Sequence, residues 1–475
     1  MNKYKELGKN SVLIFVGNFG SKLIGFIMLP LYTRWLSVSD YGITDIINVY
    51  STLLLSIITC CIAESIFIFP TKKTKKEQKE YFTSGVFFSI ATFIIAAVIF
   101  YILLAVMRYY NIDNSFVSYG WYIYFVILAS FFQKYIQQFS RSINKIKIFA
   151  ISGILLTICT AISAYFLIPS FGVVGYIYSQ FLAMIISGIY VLIAIRAPEF
   201  FSIRSFDKNK CLEMLAYSTP LISNGVMWWL IGALNRPLIE EYVGLKDVGL
   251  YAVANKFPSL ISVVFSIFIL SWQVSVLQEF NKPNYKEFYN KIARIVFFIL
   301  ATISCLLIAF SKYLIILAAD EKFIEAWKIV PLLSIAALFA SFGGFVGTNF
   351  SAIRKSKYYF YSSVWGGVSS VILNFLLIPK YGLYGAALAF LGSYFCMAIS
   401  RYLYSEKYVK LERVGMYCIF IIINIGIYVV NLYVLNVTYK FILCFIMIGF
   451  LFIINRDVIY MIPKLIATFR NSSKK

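Results

Sequence analysis

The chain has 475 residues, of which 61% are hydrophobic and 13% charged, with a mean hydropathy of +0.81. Soluble domains carry roughly a quarter charged residues. These values oppose a water-soluble globule and leave room for on the order of 14 spans of about 20 apolar residues each. Histidine is absent, and 43 Lys and Arg face 21 Asp and Glu, a net charge of +22; imidazole bases, His-ligated zinc and Ser-His-Asp relays are therefore excluded.

In chain order, Lys3, Lys5 and Lys9 precede an apolar run from about Ser11 to Tyr32. It is too long for a signal-peptide core and lacks a small-residue cleavage site, so we read it as a retained first span over 10–33. Apolar stretches follow at 43–69, 82–107, 119–140, 148–169, 172–195, 213–235, 248–275, 292–311, 328–352, 358–379, 383–404, 413–437 and 440–455. Together they predict an all-α integral membrane protein of about 14 transmembrane helices. Two pairs are divided by short turns, IPSFG at 168–172 and IPKYG at 378–382, where Pro is expected to end one helix and Gly to supply the reversal. The alternation of a membrane β-barrel is missing. The eight cysteines show no CxxC spacing and lie mostly in apolar runs, which fits small apolar packing residues rather than disulfides or metal ligands.

Alternate connectors differ in charge. The side holding the N-terminus collects the basic run TKKTKKEQKE at 71–80 and most other Lys and Arg, whereas the opposite side collects Arg34, Arg108, Arg236, Lys246, Lys312, Lys322, Lys328, Lys380 and Lys440. By the positive-inside rule both termini of a multi-pass membrane protein are expected in the cytoplasm. The positive excess then belongs to topology and anionic lipid heads, and no nucleic-acid partner is needed.

The sequence also repeats. At an offset of 207, Pro30, Asp40, Gly42 and Asn48 meet Pro237, Asp247, Gly249 and Asn255; at an offset of 210, FLIPSFGVVG at 166–175 meets LLIPKYGLYG at 376–385. An even number of helices separates the copies, so the repeat is parallel. The expected organisation is a six-helix bundle over 1–197, a cytoplasmic linker over 198–212, a second six-helix bundle over 213–404, and two additional helices with a basic tail over 405–475. Two like-oriented bundles are expected to enclose a central cleft.

Twelve repeat helices plus two, the stretch LPLYTRWLSVSDYG at 29–42 and the paired Pro-x-x-Gly turns resemble the polysaccharide flippases of the multidrug/oligosaccharidyl-lipid/polysaccharide exporter superfamily. The resemblance covers the chain from about Asn10. It implies transport, by alternating access, of undecaprenyl-diphosphate-linked oligosaccharide from the inner to the outer leaflet for O-antigen, capsule or another surface polysaccharide. Lipid-linked oligosaccharide, membrane lipids and other polysaccharide-assembly proteins are the implied partners; no enzyme activity, cofactor or metal is implied. A multidrug/cation antiporter of the same superfamily and a membrane polysaccharide polymerase or glycosyltransferase are the alternatives. The first would favour a carboxylate-lined cleft, the second a large external loop, and the outer connectors at 236–247 and 312–327 are short.

Such cargo needs protein groups that replace water around a diphosphate and sugars. Lys22, about 18 Å along the first helix at 1.5 Å per residue, is a candidate, with Glu64 or Asp45 as structural ion-pair partners or coupling carboxylates. Lys134 and Arg141 share one helical face with Gln137 and Gln138, and Lys256 and Arg236 complete the expected cationic lining. No phosphate-binding loop is present to couple ATP hydrolysis.

Overall fold

The computed structural model describes residues 25–434 and 436–458. Lys22 and most of the expected first span lie outside these residues. The described chain is helical and contains no strand. By internal contacts it divides into two compact units, the first holding Met1–Trp229 and Arg236–Gly249, the second Leu230–Asn235 and Leu250–Lys475.

The first unit opens with α1 (Leu29–Trp35), α2 (Val38–Ile58) and α3 (Ile62–Ile68). Ser37 starts α2 through a capping box, its hydroxyl accepting from the Asp40 N–H while the Asp40 carboxylate accepts from the Ser37 N–H. The Asp of the DYG segment therefore has a local structural task. The span expected to run through 43–69 is broken at 59–61, where Cys60 and Cys61 adopt φ of +48° and +53°. Two consecutive left-handed residues with side chains cost on the order of 1–3 kcal/mol each, so the surrounding packing must impose the break. No Gly or Pro announces it in the sequence.

Next come α4 (Lys75–Tyr109), capped by Thr74, and α5 (Ser115–Ser142), capped by Asn114. Their shared core is aromatic: Phe82 meets Phe139 at 4.6 Å and Phe93 meets Phe131 at 5.5 Å. Buried hydroxyls in this core are satisfied by backbone, Tyr135 donating to the Phe82 carbonyl and Tyr124 to that of Phe93, both at 2.9 Å. The hairpin α6 (Ile146–Ala194) follows, then short 3-10 turns at Ala197–Phe200 and Ile203–Ser205, and α7 (Lys208–Gly232). The segments α8 (Asn235–Tyr242) and α9 (Leu245–Lys256) complete the elements that contribute to this unit.

The second unit is built from the end of α9 with α10 (Ser259–Glu279), α11 (Tyr285–Ala309), α12 (Ser311–Ala318), a 3-10 segment at Glu321–Lys328, α13 (Val330–Ala352), α14 (Lys357–Glu406), α15 (Val414–Tyr433) and α16 (Val437–Ile454). The eighth expected span, 248–275, is interrupted at Phe257 and Pro258, because Pro258 lacks the N–H that would continue the ladder. Helix α13 is the centre of this unit; Trp272 of α10 stacks on its Phe345 at 5.0 Å and donates to the Thr348 hydroxyl at 3.1 Å.

Ten described helices are long and apolar enough to cross a membrane. Two of them, α6 and α14, have 49 and 50 residues and are hairpins of two spans each. Both continue through the proline of the turn and reverse three residues later, Gly172 at φ +53°, ψ −126° and Gly382 at φ +54°, ψ −129°. A second glycine in each turn passes against backbone: a Cβ at Gly175 would collide with the Leu167 carbonyl, and one at Gly385 with that of Leu377. These four positions match at an offset of 210, as do the left-handed residues that close α5 and α13, Asn144 at φ +62° and Arg354 at φ +55°. The sequence repeat is thus a repeat of backbone conformation.

Candidate functional site

The polar groups of the first unit gather at the two ends of the α2–α3 span. At one end, Asp45 of α2 accepts from Arg236 Nε at 3.1 Å, and Arg236 is 5% exposed. Nearby, Glu240 accepts from the Ser115 N–H at 2.7 Å, and the Trp229 indole donates to the Val49 carbonyl at 3.0 Å. The DYG and DVG segments meet each other here. A Cβ on Gly42 would collide with the Leu245 carbonyl, and one on Gly249 with that of Val38; Val38 and Leu245 are themselves repeat equivalents. The contact is reciprocal, which explains why both copies keep glycine at that point: α2 and α9 approach backbone to backbone.

At the other end, near the turn that precedes α4 (residues 69–74), Glu64 of α3 pairs with Lys134 of α5 at 2.7 Å, both side chains half-exposed. Two turns further along the same face of α5, the Arg141 guanidinium lies 4.0 Å from the Phe67 ring centre and 5.7 Å from that of Phe149. It makes no ion pair among the described residues. Gln137 is anchored to α6, donating to Ser152 Oγ at 2.8 Å and the Phe149 carbonyl at 3.3 Å. Gln133 Nε2 and Gln138 Oε1 are buried without a hydrogen-bond partner among the described residues. A buried amide left open in this way costs about 1–3 kcal/mol, so the C-terminal half of α5 holds unspent polar capacity.

The predicted residues are therefore sorted rather than pooled. Lys134 and Arg141 occupy one neighbourhood with Glu64. Arg236 occupies another with Asp45, at the opposite end of the span. Lys256, at the last turn of α9, is half-buried and makes no ion pair among the described residues. Lys22 lies outside the described residues, so the carboxylates expected as its partners are seen with other cations.

Arg401 is 2% exposed inside the second arm of α14. It donates to Ser362 Oγ at 3.0 Å and Ser363 Oγ at 3.3 Å and lies 5.4 Å from the Tyr359 ring centre. Its position three residues from the end of the apolar run 383–404 was the available signal. A neighbouring network joins Tyr285, Asn349 and Ser405, at 2.7 Å and 2.9 Å.

The fold, a helical membrane protein with repeated broken-helix hairpins, is shared with proteins of known structure. The structure superposes on the lipid II flippase MurJ in its inward closed conformation with a TM-score of 0.71 and 14% identity, covering 94% of this chain and 99% of that one. An inward-facing multidrug resistance MATE family transporter of the MOP superfamily gives a TM-score of 0.62 at 13% identity, covering 80% and 94%. The chain belongs to the family of polysaccharide biosynthesis proteins, which it matches over residues 7–273. Among sequence relatives, an uncharacterized membrane protein of Methanocaldococcus jannaschii is 24% identical over 411 residues, 81% of this chain and 94% of that protein. The capsular polysaccharide biosynthesis protein CapF of Staphylococcus aureus is 27% identical over 209 residues, 42% of this chain and 51% of CapF.

Proposed function

We propose that the chain is a flippase that carries an undecaprenyl-diphosphate-linked oligosaccharide from the cytoplasmic to the outer leaflet of a bacterial plasma membrane, both termini lying in the cytoplasm. Family membership and fold support a transporter in polysaccharide assembly. The observation that carries the choice of an anionic cargo is the state of the charges in the first unit. Of the carboxylates on α2 and α3, Asp45 is held by Arg236, Glu64 by Lys134 and Asp40 by the cap of α2, while Arg141, at the Glu64 end, lies against aromatic rings. An exporter of hydrophobic cations needs the reverse, a carboxylate left available. Arg141 and Lys134 would meet the diphosphate, and Gln133 and Gln138 would meet sugar hydroxyls.

The physical task is replacement of hydration. An anion stripped of water costs tens of kcal/mol in the Born limit and each bare hydroxyl a few more; a guanidinium and amides positioned in the span return part of that. The membrane potential would favour this direction: a head of two negative charges gains roughly 4–5 kcal/mol moving outward across about 100 mV, inside negative. A strain lacking the chain tests the reading. Lipid-linked oligosaccharide should accumulate on the inner leaflet with its repeat unit intact; normal distribution between leaflets contradicts it, and loss of chain length alone favours a polymerase.

A further inference from the structure

We propose that a groove between α4 and α5 holds one hydrocarbon chain of an anionic phospholipid from the leaflet on the side of the loop that precedes α4 (residues 69–74), at a site separate from the charged face of α5. The groove encloses about 580 Å³, within the range of roughly 300–1,000 Å³ usual for small-molecule sites. Its floor is aromatic, with Phe93, Phe131 and Phe132, and its mouth is framed by Ile90, Ile94 and Leu128, all exposed on spans that face hydrocarbon.

Polar atoms of the lining are already used internally. The hydroxyls of Tyr124, Tyr135 and Ser89 donate to the carbonyls of Phe93, Phe82 and Gly85. The groove thus offers nothing to a sugar or to water, and a polar occupant would lose its hydration without return. At membrane depth the occupant is a hydrocarbon chain.

Charge at the open end selects the head. Lys79 lies on the face of α4 that continues through Phe82 and Val86 into the groove, one turn closer to the loop. On the other wall, Pro198 and Phe201 line the groove, and Arg196 and Arg204 flank them, both exposed. The nearby acids are engaged: Glu199 with Lys75 at 2.7 Å and Arg196 at 3.8 Å, Glu80 with Lys210 at 2.6 Å, and Glu77 in the cap of α4. Lys79 and Arg204 make no ion pair among the described residues. A basic rim over a dry groove fits a phosphodiester head whose charge is not balanced by choline or ethanolamine.

Brominated-lipid quenching tests this on the full chain reconstituted in vesicles. Leu128→Trp places a reporter at the mouth, and Ile102→Trp places a control on the lipid-facing surface of α4 outside the groove; both original side chains are exposed, so folding is little disturbed. Brominated phosphatidylglycerol should quench the added Leu128→Trp fluorescence with at least threefold greater apparent affinity than brominated phosphatidylcholine. The Ile102→Trp reporter should show no preference, and Lys79→Gln with Arg204→Gln should bring the ratio at Leu128→Trp to one. Equal quenching by the two lipids at both positions would overturn the site and leave an ordinary lipid-facing surface. Absence of quenching at Leu128→Trp while Ile102→Trp is quenched would overturn it in favour of a protein occupant, such as a second copy of the chain.

Discussion

The hairpins α6 and α14 share a backbone and differ in what they bury. Gly172 and Gly382 turn with the same dihedral angles, and Gly175 and Gly385 press on equivalent carbonyls. Yet fully buried Val191 in the first corresponds, at the offset of 210, to buried Arg401 in the second, and Gly153 to Ser363. The repeat-equivalent rings Phe149 and Tyr359 each face a guanidinium, but Arg141 reaches the first from α5 whereas Arg401 reaches the second from α14 itself. The preceding helices diverge in the same manner: Lys134, Gln137, Gln138 and Arg141 of α5 stand where α13 has Gly344, Gly347, Thr348 and Ser351. The α13 positions pack closely; a Cβ at Gly347 would lie 2.6 Å from the Tyr359 ring. Duplication therefore kept the turns and crossings that steric limits dictate and left side-chain chemistry free to specialise. One copy became a polar face, the other a packed hub.

Exchanging side chains between the copies should hurt most. Val191→Arg inserts a guanidinium at a fully buried site where Gly153 offers no hydroxyl and Arg141 already occupies the ring. The expected cost exceeds about 3 kcal/mol, visible as loss of folded protein from the membrane; normal levels and an unchanged melting temperature would show that the copies are chemically interchangeable. Next are Gly175→Ala and Gly385→Ala, each costing about 1–3 kcal/mol by overpacking against a carbonyl. Their melting-temperature losses in detergent should agree, since the backbone is the same, and a large disparity would break the equivalence. Arg401→Val removes donors from Ser363 and Ser362; with Ser362 still bonded to the Tyr359 carbonyl, the loss should be about 1 kcal/mol. The smallest effect is expected for the half-exposed pair. A double-mutant cycle of Glu64→Gln and Lys134→Gln should give a coupling of about 0.2–1 kcal/mol.

Hydropathy and repeated Pro-Gly turns made the spans and the internal repeat legible, because lipid demands continuous apolar helices and a sharp reversal demands glycine. The break at Cys60 and Cys61 was not legible, since tertiary packing imposes it on residues with no intrinsic preference for left-handed backbone. Site chemistry was legible as a list of charges within spans. Its pairing was not: Asp45 lies 191 residues from Arg236 in the chain and Glu64 lies 70 from Lys134, and sequence periodicity places residues on faces without saying which faces meet. Arg401 was obscured by its nearness to a basic loop, where a cation is ordinarily solvated.

Receipt of an anionic lipid-linked head on the charged face of α5 is open to test. Its most direct measurement is translocation of a lipid-linked oligosaccharide by the purified chain in vesicles held at an inside-negative potential, comparing the parent with Arg141→Gln at equal, folded protein. We expect at least a tenfold slower flux for Arg141→Gln, partial recovery with Arg141→Lys, and a rate that rises with the potential. Equal flux in the parent and Arg141→Gln, independent of voltage, would contradict it.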